Sequence, residues 1–101
     1  MSAKFVQLLK ATNGKNKYTA VFYDSMRKRI KTVNFGDINY QDYTQHQDMV
    51  RQQSYISRHQ SREDFNKFMT AGSLSYHLLW SKPTLSSAYK AYQKRFNLQL
   101  F

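Results

Sequence analysis

Apolar, aromatic and β-branched residues concentrate in three segments of the first third of the chain, which predicts three β-strands. The segments are Lys4–Ala11, Tyr18–Tyr23 and Arg29–Phe35. Asn13-Gly14-Lys15-Asn16 separates the first two and is a turn signal, because Asn and Gly tolerate a positive φ. Residues 1–36 are therefore predicted to form a three-stranded antiparallel β-meander.

The pattern changes after Gly36, and residues 37–96 are predicted to contain about three α-helices. The predicted helices run from Asp42 or Thr44 to about His59, from Ser73 to Trp80 and from about Thr84 to Phe96. Asp and Thr are favoured helix caps, and Ser81-Lys82-Pro83 is a helix start signal. Thr70-Ala71-Gly72 interrupts the helical pattern. Arg62–Met69 is predicted to form a further turn or short helix.

The third predicted helix carries the clearest amphipathic stripe in the chain. Leu85, Tyr89, Tyr92 and Phe96 are spaced four, three and four residues apart, so they share one helix face. An aromatic stripe of this kind is a platform for stacked nucleobases or part of a hydrophobic core. The helical spacing with Leu85 favours the core.

These elements predict an α+β fold in a single domain, residues 1–101. A chain of 101 residues provides one domain and not two. The helix at Leu74–Trp80 and the stripe that begins at Leu85 are expected to cover one face of the sheet. Residues 97–101 form a C-terminal tail.

The charge balance is strongly positive. The chain contains 16 Lys and Arg against 6 Asp and Glu, which gives a formal net charge of +10. Self-repulsion of this size favours an anionic partner, such as nucleic acid, an anionic membrane surface or an acidic protein. No apolar run approaches the roughly 18 residues of a membrane span, so we expect no transmembrane segment.

One basic–aromatic stripe on the first predicted helix is the strongest functional signal. Arg51, Tyr55, Arg58 and Arg62 are spaced four, three and four residues apart, which places them on one helix face. Guanidinium groups with an embedded phenol suit phosphates, carboxylates and aromatic rings. The alternative is an ordinary solvated face with surface ion pairs between Asp48 and Arg51 and between Arg62 and Glu63.

A second basic cluster lies where the chain enters the third predicted strand. It consists of Arg27, Lys28, Arg29 and Lys31, with Ile30 between them. Such a cluster binds a phosphate backbone or serves as a localisation signal. Equally, Lys and Arg on an edge strand prevent pairing with another sheet. The sequence leaves these interpretations open.

Neither a metal site nor a catalytic centre is predicted. His46, His59 and His77 lack the spacing of metal-binding motifs, and the chain has no Cys. His59 is expected to extend the basic face. The sequence contains no GxSxG, HExxH or P-loop motif. We therefore expect a protein that is not an enzyme and has no cofactor and no small-molecule substrate.

The tail, Leu98-Gln99-Leu100-Phe101, is unusually apolar for the end of a chain. Two arrangements fit this composition. The tail packs back on the sheet, or Leu98, Leu100 and Phe101 dock into a neighbouring chain by strand addition.

The segment from Phe35 to Phe96 resembles a small uncharacterised family of basic proteins of nucleocytoplasmic large DNA viruses, the giant viruses of algae and amoebae. The residues that carry the resemblance are Phe35-Gly36, Tyr40-x-Asp42-Tyr43-Thr44-x-His46-x-Asp48, Arg51, Tyr55, Arg58-His59, Arg62-Glu63-Asp64-Phe65, Thr70-Ala71-Gly72, Leu74-Ser75, Leu78-Leu79-Trp80-x-Lys82-Pro83-Thr84-Leu85 and Arg95-Phe96. The resemblance implies a protein made in the host-cell cytoplasm and located in the virion.

Two functional hypotheses follow from the resemblance and the residues together. In the first, the chain is a minor capsid or cement protein that bridges larger capsid proteins through its arginine face and tail. In the second, it binds nucleic acid without sequence specificity, mainly through phosphate contacts. The setting and the tail favour the first hypothesis.

Overall fold

A four-stranded sheet is the framework of the structure, a computed structural model that describes residues 2–101. The strands are β1 (Phe5–Lys10), β2 (Asn16–Tyr23), β3 (Arg29–Asp37) and β4 (Gln99–Leu100). Strands β1 to β3 pair antiparallel in sequence order, which confirms the predicted meander. The α+β fold class is likewise confirmed, with β4 as an additional strand beside β1.

Local side-chain hydrogen bonds form both turns of the meander. The Asn13 side-chain oxygen accepts hydrogen bonds from the amides of Lys15 at 3.0 Å and Asn16 at 2.9 Å. In the second turn the Asp24 carboxylate accepts from the amides of Met26 at 2.9 Å and Lys28 at 3.0 Å. Asn and Asp side chains stabilise turns in this way, so both connections follow from local sequence.

The helical part begins with two helices where the sequence predicted one. α1 spans Tyr43–His46 and α2 spans Met49–His59. Gln47 interrupts them in the left-handed region with a φ of 54°, and the Asp48 carboxylate caps α2 by accepting from the amides of Val50 and Arg51. An Asp immediately after a left-handed residue starts a new helix instead of continuing the old one.

The second predicted helix starts earlier than expected. α3 spans Ala71–Ser75, with Thr70 as its cap, and continues directly into a π-helical turn at Tyr76–Trp80. Thr70-Ala71-Gly72 is thus a helix start and not a break. The preceding segment, residues 62–69, forms turns and not a helix. α4 spans Leu85–Phe96, close to its predicted bounds.

The hydrophobic core lies between one face of the sheet and the segment formed by α3, the π-helical turn and α4. Val6, Phe22 and Phe35 contribute from the strands, and Leu74 and Tyr92 from the helices. Tyr92 is 1% exposed, and its hydroxyl donates to the Phe68 carbonyl at 2.6 Å. Leu85, Tyr89 and Phe96 pack against the same cluster. The core interpretation of the α4 stripe is therefore confirmed.

The tail packs back on the sheet of its own chain. Asn97 ends α4 in the left-handed region with a φ of 53°. Leu98 is then buried in the core, and β4 pairs in parallel with β1 at the sheet edge. This corrects the interpretation of Leu98 as a docking residue, because its side chain already fills a place in this core.

The strands and the helical part are also joined by a buried ion pair. The Lys17 Nζ lies 2.6 Å from the Asp42 Oδ2, and the two side chains are 13% and 4% exposed. The other Asp42 oxygen accepts from the Thr44 amide at 2.9 Å, and the Asp42 amide donates to the side-chain oxygen of Gln45 at 3.0 Å. Lys17 thus fixes the cap of α1 against β2. Within residues 2–101, no helix has the length and apolar character needed to cross a membrane.

Replacing Lys17 by Met should destabilise the fold by about 3 kcal/mol, because it leaves the Asp42 carboxylate buried without its cation. Chemical denaturation monitored by circular dichroism measures this loss. Lys15→Met is the matched control, since Lys15 is exposed on the first turn and should cost less than about 0.5 kcal/mol. Equal losses in the two variants would contradict a stabilising role for the ion pair.

Candidate functional site

The predicted basic–aromatic stripe lies mostly on α2. Arg51, Tyr55 and Arg58 line one side of this helix, with both guanidinium groups exposed and Tyr55 half-buried. Arg62 lies outside the helix, in the turn that follows it, where its Nε donates to the Arg58 carbonyl at 3.3 Å. The structure therefore keeps three of the four residues on one helix face and places the fourth beyond its end.

These three residues line a cleft of about 640 Å³. α2 forms one side, the turn that follows β3 forms another, and the π-helical turn closes the bottom. Its charged lining residues are Arg51, Arg58, Asp37 and the paired Lys17 and Asp42. Its main aromatic and apolar lining residues are Tyr40, Tyr55, Trp80 and Leu79. We call this feature the basic–aromatic cleft.

Stacked rings form the wall between α2 and the π-helical turn. The rings of Tyr55 and Trp80 are nearly parallel, with centroids 4.2 Å apart and planes 3° apart. His59 stacks on Tyr55 with the same centroid separation of 4.2 Å. The Gln52 side chain adds a hydrogen bond to the Trp80 carbonyl at 2.9 Å. Aromatic pairs in offset or edge geometries stabilise beyond simple area burial, so this stack fixes α2 in place.

Titration shifts leave the arginines as the positive groups of the α2 wall at neutral pH. Burial, with a contribution from the Glu63 charge, raises the pKa of Tyr55 to about 12, so the phenol stays neutral. Desolvation, followed by the charges of Arg62 and Arg58, lowers the pKa of His59. The imidazole is therefore protonated less readily than that of an ordinary His, so the arginines carry most of the positive charge of this wall at pH 7. The expectation that His59 extends the basic face stays a prediction.

The arginines of the stripe have no acidic partner within residues 2–101, where the one ion pair is Lys17 with Asp42. The surface ion pairs of the alternative interpretation, Asp48 with Arg51 and Arg62 with Glu63, do not form. Asp48 instead caps α2, and the Glu63 carboxylate occupies the space where a side chain on Gly72 would lie, at the start of α3. Arg51 makes one long hydrogen bond, at 3.3 Å, to the Gln41 side chain. Two guanidinium groups therefore remain available in the cleft.

The second basic cluster lies in the turn before β3 and at the start of that strand. Arg27, Lys28, Arg29 and Lys31 are all exposed. Arg29 pairs with Tyr23 and Lys31 with Phe22, and a shift of register between these two pairs interrupts the regular alternation of side chains at this end of β3. β3 is an edge strand. Its cations are therefore explained equally well by protection against pairing with another sheet and by phosphate binding.

Arg27 is engaged by the end of the tail. Its guanidinium lies 4.5 Å from the Phe5 ring centroid and 5.4 Å from that of Phe101. It also donates to the Phe101 carbonyl at 3.2 Å. Phe101 stacks on Tyr23 with centroids 3.6 Å apart, yet it is 44% exposed, and Leu100 is 62% exposed. Leu100 and Phe101 thus remain accessible, and their docking to a neighbour stays a prediction.

Sequence reasoning missed Tyr40 and the second role of Trp80. Trp80 contacts the core at the end of the predicted Ser73–Trp80 helix, and it also lines the cleft. Tyr40 lies in the turn after β3 and is 71% exposed. Its position in the sequence carries no signal of periodicity, because turns have none. Residues 2–101 contain no cluster of three or more His, Cys, Asp or Glu side chains suited to hold a metal ion.

Comparison with known proteins identifies a family. Residues 6–59, more than half of the chain, match a family of unknown function, DUF5754. The chain belongs to this family. The DUF5754 match spans β1 to β3, α1 and α2, and so includes Tyr40, Arg51 and Arg58 but not Trp80. No curated protein and no solved structure matches the chain.

Trp80→Leu should detach α2 while leaving the sheet folded, because none of the residues of α2, Met49–His59, is fully buried. An isolated helix of this length is marginal in water. Hydrogen exchange measured by mass spectrometry should show loss of protection in α2 and little change in β2. Val50→Ala is the control, since Val50 is 76% exposed on the same helix. Unchanged protection of α2 in Trp80→Leu would contradict the importance of the stack.

Proposed function

We propose that this protein binds nucleic acid without sequence specificity, through the basic–aromatic cleft and the positive surface around it. The observation that carries the proposal is the presence of Arg51 and Arg58 beside aromatic rings in one cleft, without an acidic partner. Guanidinium groups bind phosphate oxygens through paired hydrogen bonds, and aromatic rings accept nucleobases.

The charge of the whole chain supports the same conclusion. With a net charge of +10, the protein attracts a polyanion over a distance of several ångströms at physiological salt. Six acidic residues are few, and several of them serve local structure: Asp24 in a turn, Asp42 and Asp48 as helix caps. These carboxylates therefore contribute to the fold, and most Lys and Arg side chains remain available to bind an anionic partner.

Phosphate contacts make binding sensitive to salt. A protein that contacts roughly four phosphates releases condensed counterions when it binds. Raising the salt concentration from ~50 mM to ~200 mM therefore lowers its affinity about a hundredfold. The contacts with phosphates position the chain and carry no base information, which is why we propose binding without sequence specificity.

Arg51→Ala combined with Arg58→Ala should lower affinity for a fluorescein-labelled oligonucleotide at least about tenfold at moderate salt. The slope of log affinity against log salt should also decrease by about two. Fluorescence anisotropy titrations at several salt concentrations measure both quantities. Alanine favours helix, so α2 should remain folded in this variant.

Lys90→Ala combined with Lys94→Ala is the matched control. Both lysines are exposed on α4, and their loss removes the same charge as the loss of the two arginines. If the control variant loses as much affinity as the arginine variant, binding follows net charge and does not use the cleft. Absence of binding by the unmodified protein at ~50 mM salt would refute the proposal itself.

A second candidate function is that of a minor capsid or cement protein in a virion, which bridges capsid proteins of the same virus. The resemblance to proteins of giant viruses supports it, and so does one structural observation. Leu100 is 62% exposed on β4 at the sheet edge, where strand addition by a neighbouring chain is possible. In this function the arginines of the cleft contact acidic capsid surface instead of phosphates.

Leu100→Asp tests this second candidate. The substitution should leave the fold intact, because the side chain is mostly exposed, and it should abolish incorporation into particles. Immunoblots of purified particles measure incorporation, and fractionation of disrupted particles shows whether the unmodified protein remains with the shell or with the genome. Normal incorporation of Leu100→Asp would remove strand addition by the tail, and exclusive recovery with the genome would favour nucleic-acid binding.

A further inference from the structure

We propose that the basic–aromatic cleft binds an unpaired nucleobase of a single strand, with Tyr40 stacked on the base and Arg51 and Arg58 on the adjoining phosphates. This inference rests on the proposed nucleic-acid binding and gives it a substrate class. It assigns a specific task to Tyr40.

The walls of the cleft contain more apolar surface than phosphate binding requires. A phosphate needs cations and hydrogen-bond donors, yet Tyr40, Val50, Leu79 and Trp80 all line the cavity. Its volume of about 640 Å³ lies in the range typical of sites for small molecules. A flat aromatic base with an attached phosphate presents both surfaces that the cleft offers. A base within a duplex does not reach such a cleft unless it is flipped out of its stack.

Tyr40 is the ring of the cleft with open faces. Among residues 2–101 it makes no aromatic contact, whereas Tyr55 and Trp80 already stack on each other. Its backbone is nevertheless held in place. The Tyr40 amide donates to the Asp37 carbonyl at 3.2 Å, and the Asp37 side chain accepts from the Asn39 amide at 2.9 Å. An exposed ring on a hydrogen-bonded turn is a suitable stacking surface.

Charge and ring are adjacent in the cleft. The Arg51 guanidinium donates to the side chain of Gln41, the residue that follows Tyr40. Arg58 lies two helical turns further along the same side of α2. A cation beside the free ring matches the arrangement of one nucleotide, in which a short sugar separates base from phosphate. Complementary charge therefore favours a nucleotide over an uncharged aromatic ligand.

Two probes of equal length separate base stacking from phosphate binding. One is a labelled oligothymidylate, and the other is an abasic strand with the same phosphates. We expect the unmodified protein to bind oligothymidylate about tenfold more tightly than the abasic strand. Tyr40→Leu should lose most of this preference, while Tyr40→Phe, which keeps the ring, should retain it. Anisotropy titrations at one salt concentration measure all the affinities.

The outcomes distinguish the two proposals. If the unmodified protein binds neither strand, nucleic-acid binding itself fails. If it binds both strands equally, phosphate binding stands and the base site is refuted. The base site is equally refuted if Tyr40→Leu keeps the preference for oligothymidylate, or if Tyr40→Phe loses it as fully as Tyr40→Leu does.

Discussion

The stack of Tyr55 on Trp80 is the interaction on which the basic–aromatic cleft depends. α2 has 11 residues, none of them fully buried, so neither its own length nor a buried face holds it in place. Trp80, by contrast, ends a π-helical turn whose Leu78 and Leu79 are in the core. The stack therefore holds α2 against the rigid core. The stack thereby fixes the positions of Arg51 and Arg58. π-Helical turns are frequently found at functional sites, and this one lies in the wall of the cleft.

The structure divides the charged groups between two tasks. Lys17 and Asp42 form a buried pair that joins the sheet to the helical part, and Asp24 and Asp48 organise a turn and a helix cap. The arginines of the cleft receive no carboxylate within residues 2–101. A net charge of +10 thus acts mainly on the surface, where an anionic partner relieves repulsion and adds stability by binding the folded state.

Local patterns explain what the sequence predicted, and tertiary packing explains what it did not. Strands β1 to β3 and the Leu85 to Phe96 stripe of α4 follow from side-chain periodicity and turn residues, which act over a few positions. β4 has two residues and pairs with β1 from the other end of the chain, so no pattern of its own predicts it. No sequence pattern predicts the left-handed conformation of Gln47, which separates α1 from α2. The cleft could not be predicted from the sequence either, because Tyr40 and Trp80 come together only when the sheet and the helices pack.

Trp80 is the only tryptophan of the chain and lies in the wall of the cleft, so its fluorescence reports directly on what binds there. Titration with a short oligothymidylate at ~50 mM salt is the most direct test of the central claim, that the unpaired arginines and the rings of this cleft bind nucleic acid. We predict a saturable change in emission whose midpoint rises by about two orders of magnitude at ~200 mM salt. Unchanged emission at ~50 mM salt, or a midpoint that does not depend on salt, would contradict it.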